Sequence, residues 1–485
     1  MDTNESIDIE DLCKKALEQI KEFALKKDFQ SVEILADQYL KVHKSWKVQQ
    51  YATMAKMHLR KYEEARLLCK DNIKKYNLAE DLNNMALIER ASGNKKLAYK
   101  YAKKAYKLKP DSAPIVGNYA IISKMLKQNS KAYNLLEDAL KLDSKNLLFN
   151  FNKAAMLAES GKLEKSKAQF EKVLELDPTD PNTHVDYFYL LMNMQLYKKA
   201  WPYYESRYKK NGQLATMIQK FGKPVYQIKQ KYYEEKICII PEQGLGDNLM
   251  FLRFVANFQK IAPNSTYFAP KPIQKFAESM GLRVIEKFDD SSSHVISIMS
   301  LPYHLGIQKI PKIDSPLKHQ PCKSDKLRVG LCWAGSPYHP MDATRSTHLR
   351  WYESFLEDKD LEIYSFQKDR RPRKYAYDQK IYDYSTGFED YKIIDLAPEL
   401  TDAWDTALAM NKIDVFVSVD TFPVHIAGSI GVPSYVIVSE YPDFRWGRKR
   451  KNSDWYESIK IVRKTTSKTY MQVISELHKK IKSGI

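Results

Sequence analysis

Along the first 222 residues the apolar positions recur with a helical period, and the same set of positions returns every 34 residues. At that offset Ala98, Ala132, Ser166 and Ala200 share one column, and Ala86, Ala120, Ala154 and Phe188 another. A third column reads Pro110, Ser144, Pro178 and Gly212, so each unit closes on a residue that stops or weakens a helix. Small residues at two fixed positions let antiparallel helices approach closely, while Leu136, Phe170 and Tyr204 fill the adjoining column. One such unit cannot bury its own apolar face, but stacked units can, so the period predicts an α-solenoid. Three units are clear from about Ala79 to Pro178, and a fourth is half-kept through Trp201 to Tyr208. One or two degenerate units, including Tyr62 to Cys69, precede them.

After Lys223-Pro224 the period changes to short apolar runs alternating with amphipathic stretches, the pattern of βαβ units in a parallel sheet. Strands are expected at Lys236–Ile240, Ser265–Ala269, Arg283–Glu286 and Val295–Met299, with a helix at Asn248–Gln259. A linker rich in Pro, Lys and His (Gln308–Lys326) leads to a second set. Its strands are Arg328–Ala334, Glu362–Gln367, Val415–Val419 and Ser434–Val438, with helices from His348, over Asp402–Met410 and from Val424. The predicted class is α + α/β, with a repeat domain over 1–222, a first α/β lobe over 223–325 and a second over 326–485. Two open parallel sheets in tandem leave a cleft at the carboxyl ends of their strands, where ligands bind in such folds.

The length of 485 residues and 44% hydrophobic content support several cores and exclude wholesale disorder. The net charge of +18 invites a nucleic-acid reading. Its excess, however, is lysine spread along helices, as at Lys95, Lys96, Lys100, Lys103, Lys104, Lys107 and Lys109, which reads as solvated helix surface. Five scattered cysteines (Cys13, Cys69, Cys238, Cys322, Cys332) without CxxC spacing support neither a disulfide framework nor a zinc site. The acidic N-terminus is unlike a signal peptide, and no long uninterrupted apolar run follows, so a cytoplasmic location without a transmembrane segment is expected.

The candidate chemistry sits at strand ends. Gly244-Leu245-Gly246-Asp247 turns from a strand into a helix; Asp247 is either a helix cap or a carboxylate able to take a proton from a hydroxyl nucleophile. Asp420-Thr421-Phe422-Pro423-Val424-His425 follows the apolar strand Val415–Val419, where a helix N-terminus offers amides and a positive dipole end to phosphate. There Asp420 and Thr421 could equally cap the helix, and His425 could be a core histidine. Arg345, in the loop that begins at Gly335, faces the same cleft, as do Gln367 and Lys368; a guanidinium suits phosphate oxygens.

The 34-residue pattern resembles the tetratricopeptide repeat. In order, GLGD, SLP at Ser300–Pro302, VGLCWAGSPYHPMDATRS, YSFQKD, DTFPVHIAGSIGVP and PDFRWGRKRKNSDWY resemble bacterial tetratricopeptide proteins with a heptosyltransferase-like (glycosyltransferase family 9-like) domain, over about Lys236 to Lys464. The resemblance implies a compact GT-B fold of two Rossmann-like lobes, a nucleotide-sugar donor, inversion at the sugar carbon, and neither metal nor other cofactor. It makes Asp247 the general base and sets Arg345 where the family has a lysine toward the diphosphate. Gly244, Gly246, Gly335, Gln367, Lys368, Asp420, Thr421, Val424 and His425 become donor-binding positions, with Phe422 replacing a family glycine. Together with the repeats it implies an acceptor hydroxyl on a protein held by the concave face, flagellin-like or another surface protein. The alternatives are a protein-binding scaffold whose glycosyltransferase-like half is inactive, or transfer to a lipopolysaccharide or polysaccharide precursor.

Overall fold

The computed structural model describes residues 9–210, 216, 219–226, 235–321, 323–339, 342–368, 373–374, 381–382, 391–440 and 442–484. Gly212 of the third repeat column and Cys322 lie outside them. The chain divides into two compact units, Met1–Thr179 and Asp180–Ile485.

Among its described residues the first unit is five helical hairpins: α1 (Ile9–Leu25) with α2 (Phe29–Val42), α3 (Trp46–His58) with α4 (Tyr62–Tyr76), α5 (Ala79–Ala91) with α6 (Lys95–Leu108), α7 (Ala113–Met125) with α8 (Asn129–Leu142), and α9 (Leu147–Glu159) with α10 (Leu163–Leu176). Two full hairpins therefore precede the clear repeats. The small-residue columns behave as the period requires: Ala86, Ala98, Ala120, Ala132, Ala154 and Ser166 are fully inaccessible. Ser166 hides its hydroxyl by donating to the Ala154 carbonyl at 2.8 Å.

Each hairpin turns through one left-handed residue at the same place: Lys27, Arg60, Gly93, Lys127 and Gly161 all have φ between 59° and 82°. Only two are glycine, and a non-glycine there costs on the order of 1 kcal/mol. The turn offsets that cost by satisfying orphan carbonyls, as where Lys127 N–H donates to Lys124 O at 2.8 Å and Gln128 N–H to Ser123 O at 3.1 Å.

The second unit opens with α11 (Pro181–Asn193), α12 (Tyr197–Tyr204) and the short α13 (Arg207–Lys210), which repeat the hairpin geometry, with Gln195 as its left-handed turn. Here the alanine column holds Phe188, which stacks on Tyr204 at 4.2 Å and packs edge-on against Phe444 at 5.5 Å. The large ring in place of a small residue packs this hairpin against the α/β part.

Four parallel strands, β1 (Ile237–Ile240), β2 (Thr266–Phe268), β3 (Val284–Ile285) and β4 (His294–Ser297), form a first sheet in the order β3-β2-β1-β4. Its helices are α14 (Leu245–Ile261), α15 (Gln274–Ser279) and α16 (Leu301–His304). The second sheet is parallel throughout and reads β12-β11-β10-β5-β6-β9. Its strands are β5 (Leu327–Cys332), β6 (Leu361–Ser365), β9 (Ile393–Asp395), β10 (Val415–Val419), β11 (Ser434–Val438) and β12 (Ile459–Arg463); a separate hairpin pairs β7 (Arg373–Lys374) with β8 (Ile381–Tyr382). Helices α17 (Asp342–Arg345), α18 (Glu353–Leu356), α19 (Ala403–Ala409), α20 (Phe422–Ile430) and α21 (Tyr470–Lys482) complete it.

The order of the second sheet is that of a doubly wound fold, and the chain reverses direction between β5 and β10, where a crevice forms at the strand ends. Strands β9 and β12 and helix α21 were not anticipated from the sequence. Helix α14 also starts three residues before the expected Asn248, taking Asp247 into its first turn. Between the sheets α14 packs on α20, and buried Arg253 donates from Nη1 to the carbonyls of Pro311 and Trp455 at 2.8 Å each, its guanidinium lying over the rings of Trp455 and Tyr456.

Candidate functional site

Strand β1 is buried along its whole length, so the chain must leave it abruptly at Pro241. Gln243 accomplishes this with φ 66°, a left-handed backbone in a residue that resists it. The turn is fixed on both sides. Asn248 donates from Nδ2 to the Glu242 carbonyl at 2.9 Å and the Gly244 carbonyl at 2.8 Å. The Glu242 carboxylate is gripped by buried Arg207, whose Nε and Nη2 each donate at 2.9 Å. A bidentate pair holds its partner in plane as well as in distance.

Asp247 is the third residue of α14. Its Oδ2 accepts from the Gly244 N–H at 3.1 Å, the capping role that the sequence left open. Its Oδ1 takes a hydrogen bond from Arg445 Nη2 at 2.5 Å, across from the second sheet. Burial raises the Asp247 carboxyl above its ordinary range, and the Arg445 charge opposes but does not cancel that shift. Arg445 also donates from Nε to Asp443 at 2.9 Å, and its Nη1 lies 3.3 Å from His425 Nε2.

His425 is buried, with Nδ1 3.1 Å from the Tyr456 hydroxyl. Burial, reinforced by Arg445, Arg253 and Arg345, pushes its pKa well below the usual value, so the ring is neutral. A guanidinium donating to Nε2 leaves the ring proton on Nδ1. A side chain on Gly246 would place its Cβ 2.7 Å from His425 Cδ2, so glycine is required there by close approach.

Arg345 comes from the one-turn helix α17 rather than from an irregular loop. Nη1 donates to the Asp420 carbonyl at 3.1 Å, Nε lies 3.8 Å from Asp342, and the guanidinium lies across Gly335, whose added Cβ would sit 2.5 Å from Nη2. His339, at the exposed rim, is held below the ordinary histidine value by partial desolvation and by Arg345.

These side chains line one cavity of about 610 Å³, within the usual range for small-molecule sites. It brings together Gly244, Gly246, Asp247, Arg345, Asp420, Thr421 and His425 of the sequence candidates, and adds Ser336, His339, Asp443 and Arg445. A smaller cavity of about 280 Å³ shares Leu245, Ser336, Thr421 and Phe422 with it and is lined by Gly335, Gln367 and Lys368.

Two of these three are already engaged. Gln367 Oε1 accepts from Trp333 N–H at 3.1 Å and Ala334 N–H at 2.9 Å, and its Nε2 donates to Ala334 O at 3.1 Å, which satisfies the frayed end of β5. Lys368 Nζ donates to the Leu400 carbonyl at 2.6 Å. Val424 lines neither cavity: it is fully inaccessible on the inner face of α20. Arg445 and Asp443 were missed as site residues although their segment, PDFRWGRKRK, was singled out. The available signal was position, since they follow the end of β11 as Asp420 follows β10.

Among the described residues no group of three or more His, Cys, Asp or Glu side chains is arranged to hold a metal ion, and Cys13, Cys69, Cys238 and Cys332 are free thiols. No helix there is long and apolar enough to cross a membrane.

No protein-family model matches the sequence, and no curated protein does. Solved structures similar to it include a tetratricopeptide protein of Thermus thermophilus, at 19% identity over 37% of this chain and 98% of that one, TM-score 0.34. PilF of Pseudomonas aeruginosa follows at 16% identity, 45% and 85% coverage, TM-score 0.34. MamA of Desulfovibrio magneticus shows 14% identity, 35% and 96% coverage, TM-score 0.29. The repeat character of the helical hairpins rests on their own period and burial.

Proposed function

We propose that the chain is an inverting, metal-independent glycosyltransferase of GT-B type, transferring a sugar from a nucleotide-sugar donor to an acceptor hydroxyl, with Asp247 as general base. The observation that supports this reading is that Asp247 and Arg345 line one cavity at the carboxyl ends of two parallel sheets. Attack at an anomeric carbon requires proton removal from the nucleophile and charge neutralisation at the departing diphosphate, at separate places. In this reading Asp247 serves the first, its carboxyl tuned upward by burial. Arg345, Thr421 and the N-terminus of α20 serve the second.

The acceptor in this proposal is a polypeptide held by the helical repeats. Incubating the full chain with a panel of nucleotide sugars tests the activity: donor hydrolysis abolished by Asp247→Asn supports it, and no hydrolysis with any donor refutes it. Labelled sugar recovered only in lipid extracts would refute the polypeptide acceptor.

A second reading is favoured by the engagement of both Asp247 oxygens, by Arg445 and by the Gly244 N–H. It is a binding module that holds a nucleotide sugar without turnover. Thermal stabilisation by a nucleotide sugar without hydrolysis or transfer identifies that case.

A further inference from the structure

Helix α6 carries six lysines and no carboxylate, so its like charges at i, i+3 and i, i+4 destabilise the helix that bears them. Several other lysines of the first unit are neutralised: Lys56 meets three carboxylates at 2.9 Å each, and Lys75, Lys109, Lys124 and Lys167 each meet one. The contrast is sharpest at a groove of about 440 Å³ between the second helices of neighbouring hairpins. Lys103, Tyr106 and Lys107 of α6 form one wall, Lys131 and Asp138 of α8 the other, and Tyr119 of α7 the floor.

Lys131 is half-buried, and its ammonium donates to the hydroxyls of Tyr99 at 2.8 Å and of Tyr119, with both rings within cation–π range at 5.1 and 4.5 Å. Burial lowers the Lys131 pKa, but the two phenol oxygens reverse this and hold it above the ordinary value, so the charge stays. The one acid in the groove, Asp138, is already engaged by Lys141 at 2.7 Å. Among the described residues no carboxylate pairs with Lys103, Lys107 or Lys131.

We propose that this groove binds an extended, acidic polypeptide segment. Lys103 and Lys107 are one helical turn apart, about 6 Å along the axis. Alternate residues of an extended strand point the same way at about 6.6 Å, so a Glu-x-Glu spacing matches the two ammonium groups. Lys131 with its phenols receives a third acid across the groove. A nucleic acid fits less well: the groove has no guanidinium fork, and the Tyr106, Tyr99 and Tyr119 rings pack on one another at 5.4 Å instead of presenting a face to bases. Binding of this segment does not depend on sugar transfer.

The test uses the full chain and a labelled short peptide with glutamates at alternate positions, read by fluorescence anisotropy at low salt. Lys103 and Lys107 are exposed, so the K103E/K107E variant keeps its fold, checked by circular dichroism and melting. It is expected to bind about tenfold or more weakly, whereas K165E/K172E, the same charge change on α10, stays within about twofold of the parent. Equal loss in both variants would reduce the effect to bulk charge and overturn the proposal. So would absent binding, or a thymidine oligonucleotide of equal charge that binds more tightly and is lost with K103E/K107E.

Discussion

Lys56, in the first compact unit, and Arg445, in the second, are both largely buried cations that meet carboxylates, but to different ends. Lys56 on α3 is 6% exposed and sits among Glu33, Asp37 and Glu64, with Lys61 closing on Glu33 at 2.8 Å. Arg445 sits between Asp247 and Asp443 on the wall of the large cavity, beside a neutral histidine. The Lys56 cluster is closed on itself, so its charge acts on stability alone. The Arg445 cluster opens onto space for a ligand, so its charges are available to whatever enters. The comparison teaches that an ion pair becomes a candidate site through the cavity beside it and not through the pair itself.

The sharpest break would come at Asp247. If the open cluster is catalytic, Asp247→Asn lowers donor hydrolysis and transfer by about 10²- to 10⁴-fold per folded molecule, beyond the stability it loses by weakening the pair with Arg445. The parent rate should rise with pH through a midpoint above the ordinary aspartate value near 3.9, because only the ionised carboxylate accepts a proton and burial raises its pKa. A pH-independent rate would remove the base role.

Next in size, Arg345→Ala should cost about 10²- to 10³-fold in turnover, as for a lost oxyanion donor. The melting temperature should fall little, since the guanidinium holds the Asp420 carbonyl at 3.1 Å and Asp342 at a long 3.8 Å. An unchanged rate would discard its role.

The closed cluster should answer in the opposite way. Lys56→Met leaves Glu33, which is 12% exposed, to Lys61 alone, while Asp37 and Glu64 remain partly solvated at 43% and 57%. The expected loss is about 2 to 3 kcal/mol in urea unfolding, below the full cost of breaking a wholly buried pair, with hydrolysis per folded molecule unaltered.

The smallest effect lies in the α/β unit. His304 is pushed down to about 4 by burial and by Arg207, so the folded state keeps it neutral while the unfolded chain protonates near 6.5. Stability should therefore fall as pH drops from about 6.5 to about 4 and show no further loss from this group below that. The total is about 1 to 2 kcal/mol, allowing for partial exposure. His304→Gln should flatten the slope of melting temperature against pH in that window.

Legibility in the sequence followed the range of the interactions. The repeat was readable because each small residue is repeated by its counterpart 34 positions on. The burial of Ala98, Ala132 and Ser166 is a local consequence of two helices meeting. Strands β10 and β11 were readable to the residue because both faces are covered and each run is apolar but for one serine. Strand β9 was not, since it is three residues long, with Ile394 exposed and its two neighbours half-buried. At the site, Gly246 was legible as a turn glycine, but its partner His425 lies far along the chain in another sheet's helix, and nothing local announces the contact.

The sequence by itself determined the helical period, the switch to parallel strands and the strand-end positions where polar residues gather, because these depend on neighbours within one element. Only the tertiary structure decided which strand ends meet. It joined Asp247 to Arg445, laid Arg345 over Gly335, committed Gln367 to the end of β5 and turned Val424 into the core. The reason is physical: a side chain's hydrogen-bond partners and its share of solvent are set by what packs against it from other elements, and no spacing along the chain encodes that distance.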